Sequence, residues 1–114
     1  MTIDTFIERI NLNPENISFT DTITVIEENY TFTPTAFQNG LLKNEADQNS
    51  GSCKLFSFAR LHNLTEAQTL ACFGDYYRVD VLQHPDGLDH QNIRNFMKFG
   101  WGGIAFEGNA LSKK

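Results

Sequence analysis

The chain has 114 residues, room for one domain with one hydrophobic core. A 40% apolar share, with ten Phe, three Tyr and one Trp, excludes disorder beyond the last few residues, Ser112 to Lys114. Nine basic against fourteen acidic side chains leave a net charge of -5, and Lys54, Arg60, Arg78 and Arg94 are scattered, which argues against nucleic acid and anionic membranes as partners.

Ile3, Phe6, Ile7 and Ile10 recur at helical spacing behind Thr2 and predict a short amphipathic helix ending before Pro14. Ser18 to Asp21 reads as a capping box, from which Phe19, Ile23, Ile26 and Tyr30 continue as one apolar stripe. From Tyr30 to Phe37 the period drops to two. Thr31, Thr33 and Thr35 alternate with Phe32, Pro34 and Ala36, predicting a half-buried strand that Pro34 confines to a sheet edge. Asn39-Gly40 marks a turn, and the polar stretch from Lys43 to Gly51 is expected to be a mobile loop.

Ser52 is placed to cap a helix carrying Leu55, Phe58, Ala59 and His62 on one face. Thr65 and Gln68 make a second capping box. The helix it opens is predicted to reach about Leu82, with Leu70, Phe73, Tyr77 and Val81 on one face and Cys72, Tyr76 and Val79 on another, so it should be central. Pro85-Asp86-Gly87 predicts a turn, and Asp89 is expected to cap a last helix with Ile93, Phe96 and Met97 inward. Gly100, Gly102 and Gly103 stop that helix before a terminal strand, Ile104 to Phe106. About five helices with a two- or three-stranded sheet make an α+β domain over residues 1–114, and pairing of the two distant strand segments would tie its halves together.

Two cysteines, Cys53 and Cys72, both in apolar helical patterns, read as reduced thiols of a cytosolic protein. The N-terminus lacks the basic and apolar regions of a secretory signal, and no apolar run approaches a membrane span of ~18 residues.

The densest polar cluster lies around the Pro85-Asp86-Gly87 turn. His84 and His90 flank it, and Asp86 and Asp89 are within reach of either ring to orient an imidazole as a general base or ligand. The bland reading is structural hydrogen bonding, and a divalent ion on the two histidines and two aspartates is a third. Cys53, at a helix start beside Lys54, is placed to be a thiolate nucleophile with His84 or His90 as base, or else a small buried side chain. Asp75 and Arg78 can pair along their helix beside Tyr76, or Arg78 and Arg94 can offer guanidinium forks to an anionic ligand. Asn39, Asn44 and Arg94 are the polar residues expected to complete a pocket. Trp101, between glycines, plugs the core or faces a partner.

Four segments carry a family resemblance: Phe32 to Gly40, Gly51 to Phe56, Cys72 to Tyr77, and His84-Pro85-Asp86-Gly87 through Phe106. Together the chain from about Ile3 to Leu111 resembles the HopJ type III effector family of bacteria. The resemblance implies a small single domain with no established catalytic residue, no cofactor, and delivery into a host cell. Asp4 and Glu8 on a folded amphipathic helix are unlike a disordered export signal, which points to a resident cytoplasmic protein. Three functions are therefore expected in order: a non-enzymatic binding module for a protein or small molecule, a small enzyme using Cys53 or the histidine turn, and a small-molecule or metal sensor. Oligomeric state is not legible in the sequence.

Overall fold

The computed structural model describes residues 1–114. Thr2 caps α1 (Ile3–Leu12), which buries Phe6 and Ile10, and a 3-10 turn at Pro14–Asn16 leads to α2 (Phe19–Asn29). Both capping boxes form. The Ser18 hydroxyl accepts from the Asp21 N–H at 3.0 Å while Asp21 accepts from the Ser18 N–H, and Thr65 and Gln68 repeat the exchange at the start of α4 (Glu66–Ala71).

The predicted strand from Tyr30 to Phe37 is two strands. Pro34 carries no N–H, and the chain leaves the ladder around it, so β1 (Tyr30–Phe32) and β2 (Phe37–Asn39) join different sheets. β2 makes a hairpin with β3 (Leu42–Asn44) and pairs on its other side with β4 (Ile104–Phe106), Phe37 opposite Phe106 and Asn39 opposite Ile104. β1 pairs with β5 (Leu111–Lys113), Tyr30 opposite Lys113. The expected link between the N-terminal half and the C-terminus is thus made twice. The last residues, expected to be disordered, are held by that second sheet, and Lys114 N–H donates to the Asn29 carbonyl at 3.1 Å.

The central helix is α3 (Ser50–Leu61), not the segment after Thr65. Leu55, Phe56, Ser57, Phe58 and Ala59 are all buried, and five consecutive buried positions cover more than one full turn, so α3 is enclosed on every side. Phe56 meets Phe37, Phe73, Phe96 and Trp101 with ring centroids 5.0–6.4 Å apart, joining β2, the end of α4, and α5 (Gln91–Phe99). Full burial of each such ring contributes about 1.5–3 kcal/mol. Trp101 is half-buried on this cluster, with its indole N–H donating to the Leu64 carbonyl at 3.1 Å.

The helix expected from Thr65 to Leu82 breaks after Ala71. Gly74 adopts φ +63°, and the chain resumes as a π-helical turn, Tyr76–Val81, that leaves Tyr76 and Val79 exposed. The break lets the backbone press against the start of α2: a Cβ on Gly74 would stand 2.7 Å from the Phe19 nitrogen. Met97, expected inward on α5, is exposed, while Ile93 and Phe96 are buried as predicted.

Gly74→Ala should therefore cost roughly 2 kcal/mol or more, combining left-handed strain with a backbone clash. Urea denaturation of the purified variant checks this, and wild-type stability would show that the bend is not glycine-dependent.

Candidate functional site

The Pro85-Asp86-Gly87 turn forms, closed by the Gly87 N–H on the His84 carbonyl at 3.0 Å. Its organiser is Arg94, one turn into α5. Its guanidinium donates to the Asp89 carbonyl (2.6 Å), the His84 carbonyl (2.9 Å) and the Asp89 carboxylate (2.7 Å). A Cβ at position 87 would lie 2.5 Å from Arg94 Nη2, so a side chain there would displace the guanidinium from the turn. Asp89 therefore anchors the turn and does not cap α5. The neighbouring guanidinium holds its carboxyl below the usual carboxylate range.

The two histidines are not brought together. His84 is exposed and contributes only its carbonyl, and Asp86 is exposed without a partner. His90 takes the left-handed N-cap position of α5 at φ 50°, with no side-chain cap. Its Nε2 bonds Asp80 at 3.0 Å, not Asp86, and its ring leans on Tyr76 at 5.0 Å. Asp80 is the orienting carboxylate that sequence reasoning missed, because it sits ten residues back on the π-helical turn. No group of three or more His, Cys, Asp or Glu side chains is placed to hold a metal ion, so the proposed divalent site on the turn is not assembled.

Arg78 is also a structural clamp. It donates to the Pro14, Ala71 and Ile17 carbonyls at 3.1, 3.3 and 2.5 Å, while exposed Asp75 stands 3.8 Å off. Neither guanidinium fork is free for a ligand. Cys53 is sealed, its sulfur directed to the Thr35 carbonyl at 3.4 Å, and burial pushes its thiol pKa up. No imidazole is among its partners. Buried Cys72 is raised further, to about 12.

The stretch expected to be a mobile loop carries β3 and a buried amide network. Asn92, at the start of α5, accepts at Oδ1 from Asn39 (3.0 Å) and Asn44 (3.1 Å) and donates to Asn44 Oδ1 at 3.0 Å. Asn44 Oδ1 also accepts from Asn49 at 2.7 Å. Asn49, at φ 52°, is the N-cap residue of α3, a role expected of Ser52. Asn39 is thus architecture with zero exposure, and Asn92 carries no local pattern that would single it out.

This network fixes the starts of α3 and α5 side by side. Between them and the α2–π-turn junction opens a cleft of about 470 Å³. Phe19 and Phe73, stacked 6.1 Å apart, wall it with Tyr76, and His90, Asn92 and Ser52 supply polar groups. A second hollow of about 420 Å³ adjoins it across the same Phe19, Phe73 and Tyr76, with Arg78 on its lining. Neither α3 nor α5 has a side-chain cap, and the Gly51, Ser52, Gln91 and Asn92 N–H groups on the cleft lining have no acceptor in the chain, whereas the Ile93 N–H donates to the His90 carbonyl at 3.0 Å.

The family model described as HopJ type III effector protein matches residues 3–111. A solved structure described as the crystal structure of an unknown-function protein, VPA0580, is 54% identical, with a TM-score of 0.99 over 100% of this chain and 95% of that one. No curated protein matches the chain.

Two predictions concern the frame of this site. Asn92→Ala strands the Asn39 and Asn44 amides in the interior and should destabilise by about 3 kcal/mol, read by chemical denaturation. Asp89 is depressed in the folded chain, so its contribution is complete above the ordinary carboxylate pKa and disappears as pH falls through the folded value. Asp89→Asn should flatten the acid limb of the stability–pH curve; an unchanged limb would remove the ion pair from the account.

Proposed function

The chain belongs to the HopJ type III effector family, and from that premise we propose that it is a non-enzymatic binding module that takes a small planar ligand in the cleft between α2, α3 and α5. One observation carries this reading: a ligand-sized concavity combines aromatic walls with a few fixed polar groups. Phe19 and Tyr76 offer ring surface above the buried Phe73, and His90 is held in place by Asp80 and Tyr76. A flat ring fits the walls. An acceptor-rich substituent suits the free N–H groups at the starts of α3 and α5, where the helix dipoles also favour negative charge.

Binding is favoured over catalysis by the same geometry. The nucleophile candidate Cys53 is away from the cleft lining and hydrogen-bonded to a carbonyl, and the His90 ring bonds Asp80 and no hydroxyl or thiol. Acyl transfer needs a thiolate and a base within direct or water-bridged reach. A cytosolic setting is consistent with two free, buried thiols.

Benzoate and phenyl phosphate, titrated into ¹⁵N-labelled protein, should shift the amides of Gly51, Ser52, Gln91 and Asn92 saturably. Tyr76→Ala should weaken binding about tenfold, a loss of ~1.4 kcal/mol in keeping with one lost stacking contact. Lys98→Ala, outside the cleft, should leave it unchanged. Absence of saturable shifts at these amides would overturn the reading.

A further inference from the structure

An imidazole with one nitrogen committed has the role of its other nitrogen decided for it, and His90 is in that position at the aromatic cleft. Its Nε2 bonds the Asp80 carboxylate at 3.0 Å, and Asp89 stands 3.9 Å from the same nitrogen. Carboxylates accept and do not donate, so the neutral ring carries its proton on Nε2 and keeps a lone pair on Nδ1. That Nδ1 bonds nothing in the chain, although His90 lines the cleft, and it does not cap the first-turn N–H groups of α5. The ring is held in this attitude. Tyr76 packs against it with centroids 5.0 Å apart, Asp80 is fixed on the π-helical turn, and the backbone at φ 50° sets the direction in which the side chain leaves α5.

The backbone groups on the same lining are of the opposite kind. The Gly51, Ser52, Gln91 and Asn92 N–H groups are donors without an acceptor. A ligand made only of acceptors satisfies them but leaves Nδ1 facing a lone pair. A site that presents a fixed polar group in this way discriminates strongly against an analogue lacking the matching O–H or N–H.

We propose that His90 selects, among planar ligands of the cleft, those that carry a ring O–H or N–H donor beside their acceptor group, with Asp80 as the positioning residue that fixes the tautomer. The inference rests on the cleft binding a planar ligand and adds its chemical class, an aromatic acid with a hydroxyl or amino substituent. The donor meets Nδ1, the acid oxygens meet the N–H groups of α3 and α5, and the ring lies on Phe19 and Tyr76. Protonation of His90 turns Nδ1 into a donor and cancels the preference. Asp80, Asp89 and Tyr76 are the titratable groups facing the ring, and α2, α3 and β3 place none on the cleft lining.

Two measurements test this. In the unliganded protein the ring ¹⁵N shifts of His90, assigned with His90→Phe, should place the proton of the neutral form on Nε2. A proton on Nδ1 would overturn the proposal. Wild type is then titrated with benzoate, 3- and 4-hydroxybenzoate and their methoxy analogues, above the pH at which those shifts report ring protonation. The better hydroxybenzoate should bind about tenfold more tightly than benzoate, the gain of one hydrogen bond, and its methoxy analogue should gain nothing. His90→Phe keeps a ring against Tyr76 and should bring the hydroxybenzoate-to-benzoate ratio to about one. Asp80→Asn, whose amide accommodates either tautomer, should lower the ratio and populate the Nδ1–H form in the ring shifts. Lowering the pH through the His90 titration should also take the wild-type ratio toward one. Benzoate binding with no gain from either hydroxybenzoate, or a gain that survives His90→Phe, would overturn selection by His90 and leave the cleft standing. Absence of saturable binding by all of them would overturn both.

Discussion

Enclosure of α3 is the constraint on which the remaining structure depends. Phe56 touches rings from β2, from the end of α4, from α5 and from Trp101 in the 3-10 turn Gly100–Gly103 behind it. Six phenylalanines, Phe6, Phe37, Phe56, Phe58, Phe73 and Phe96, are effectively without solvent exposure. Small domains gain stability mainly by burying such side chains, and rings from α1, β1, β2 and α5 all gather on this one short helix. Five strands of three residues each are too short to be stable alone. They persist because β2 lays Phe37 on Phe56, and β1 places Tyr30 against Phe58 at 6.2 Å.

Polar groups then close the gaps that the aromatic core leaves. Two arginines act through backbone carbonyls: Arg78 gathers Pro14, Ile17 and Ala71, and Arg94 gathers His84, Pro85 and Asp89. Guanidinium groups suit this work, since several fixed donors on one plane can meet carbonyls from different segments. Asn39, Asn44, Asn49 and Asn92 do the same for the interior, and their bonds bring the starts of α3 and α5 together. The cleft is a by-product of that arrangement: the left-handed residues Asn49 and His90 end each approach without a side-chain cap.

The proposed binding role rests on what these polar residues are free to do. Cys53 is sealed, His84 is alone, and His90 is bonded to Asp80 with no thiol or hydroxyl as a partner. The groups that remain uncommitted are aromatic faces, hydrogen-bond donors and the second nitrogen of His90, which together recognise ligands.

Local pattern in the sequence determined the α+β class, both capping boxes, the helices α1, α2 and α5, the Pro-Asp-Gly turn and β4, because each depends on residues three or four apart or on a single turn. The family resemblance was legible on the same local segments. Tertiary structure alone decided which helix is central, since burial of Ser57 and exposure of Tyr76 depend on elements that pack from elsewhere. It also decided the break at Gly74, where the helical periodicity of Leu70, Phe73, Tyr77 and Val81 is kept while the backbone bends to meet α2. Asp80 finds His90, and Asn92 finds Asn39 and Asn44, across 10 to 53 residues of chain. Such pairs leave no periodic trace, because a hydrogen bond between distant side chains constrains the position of two backbones and not the spacing of residues along one.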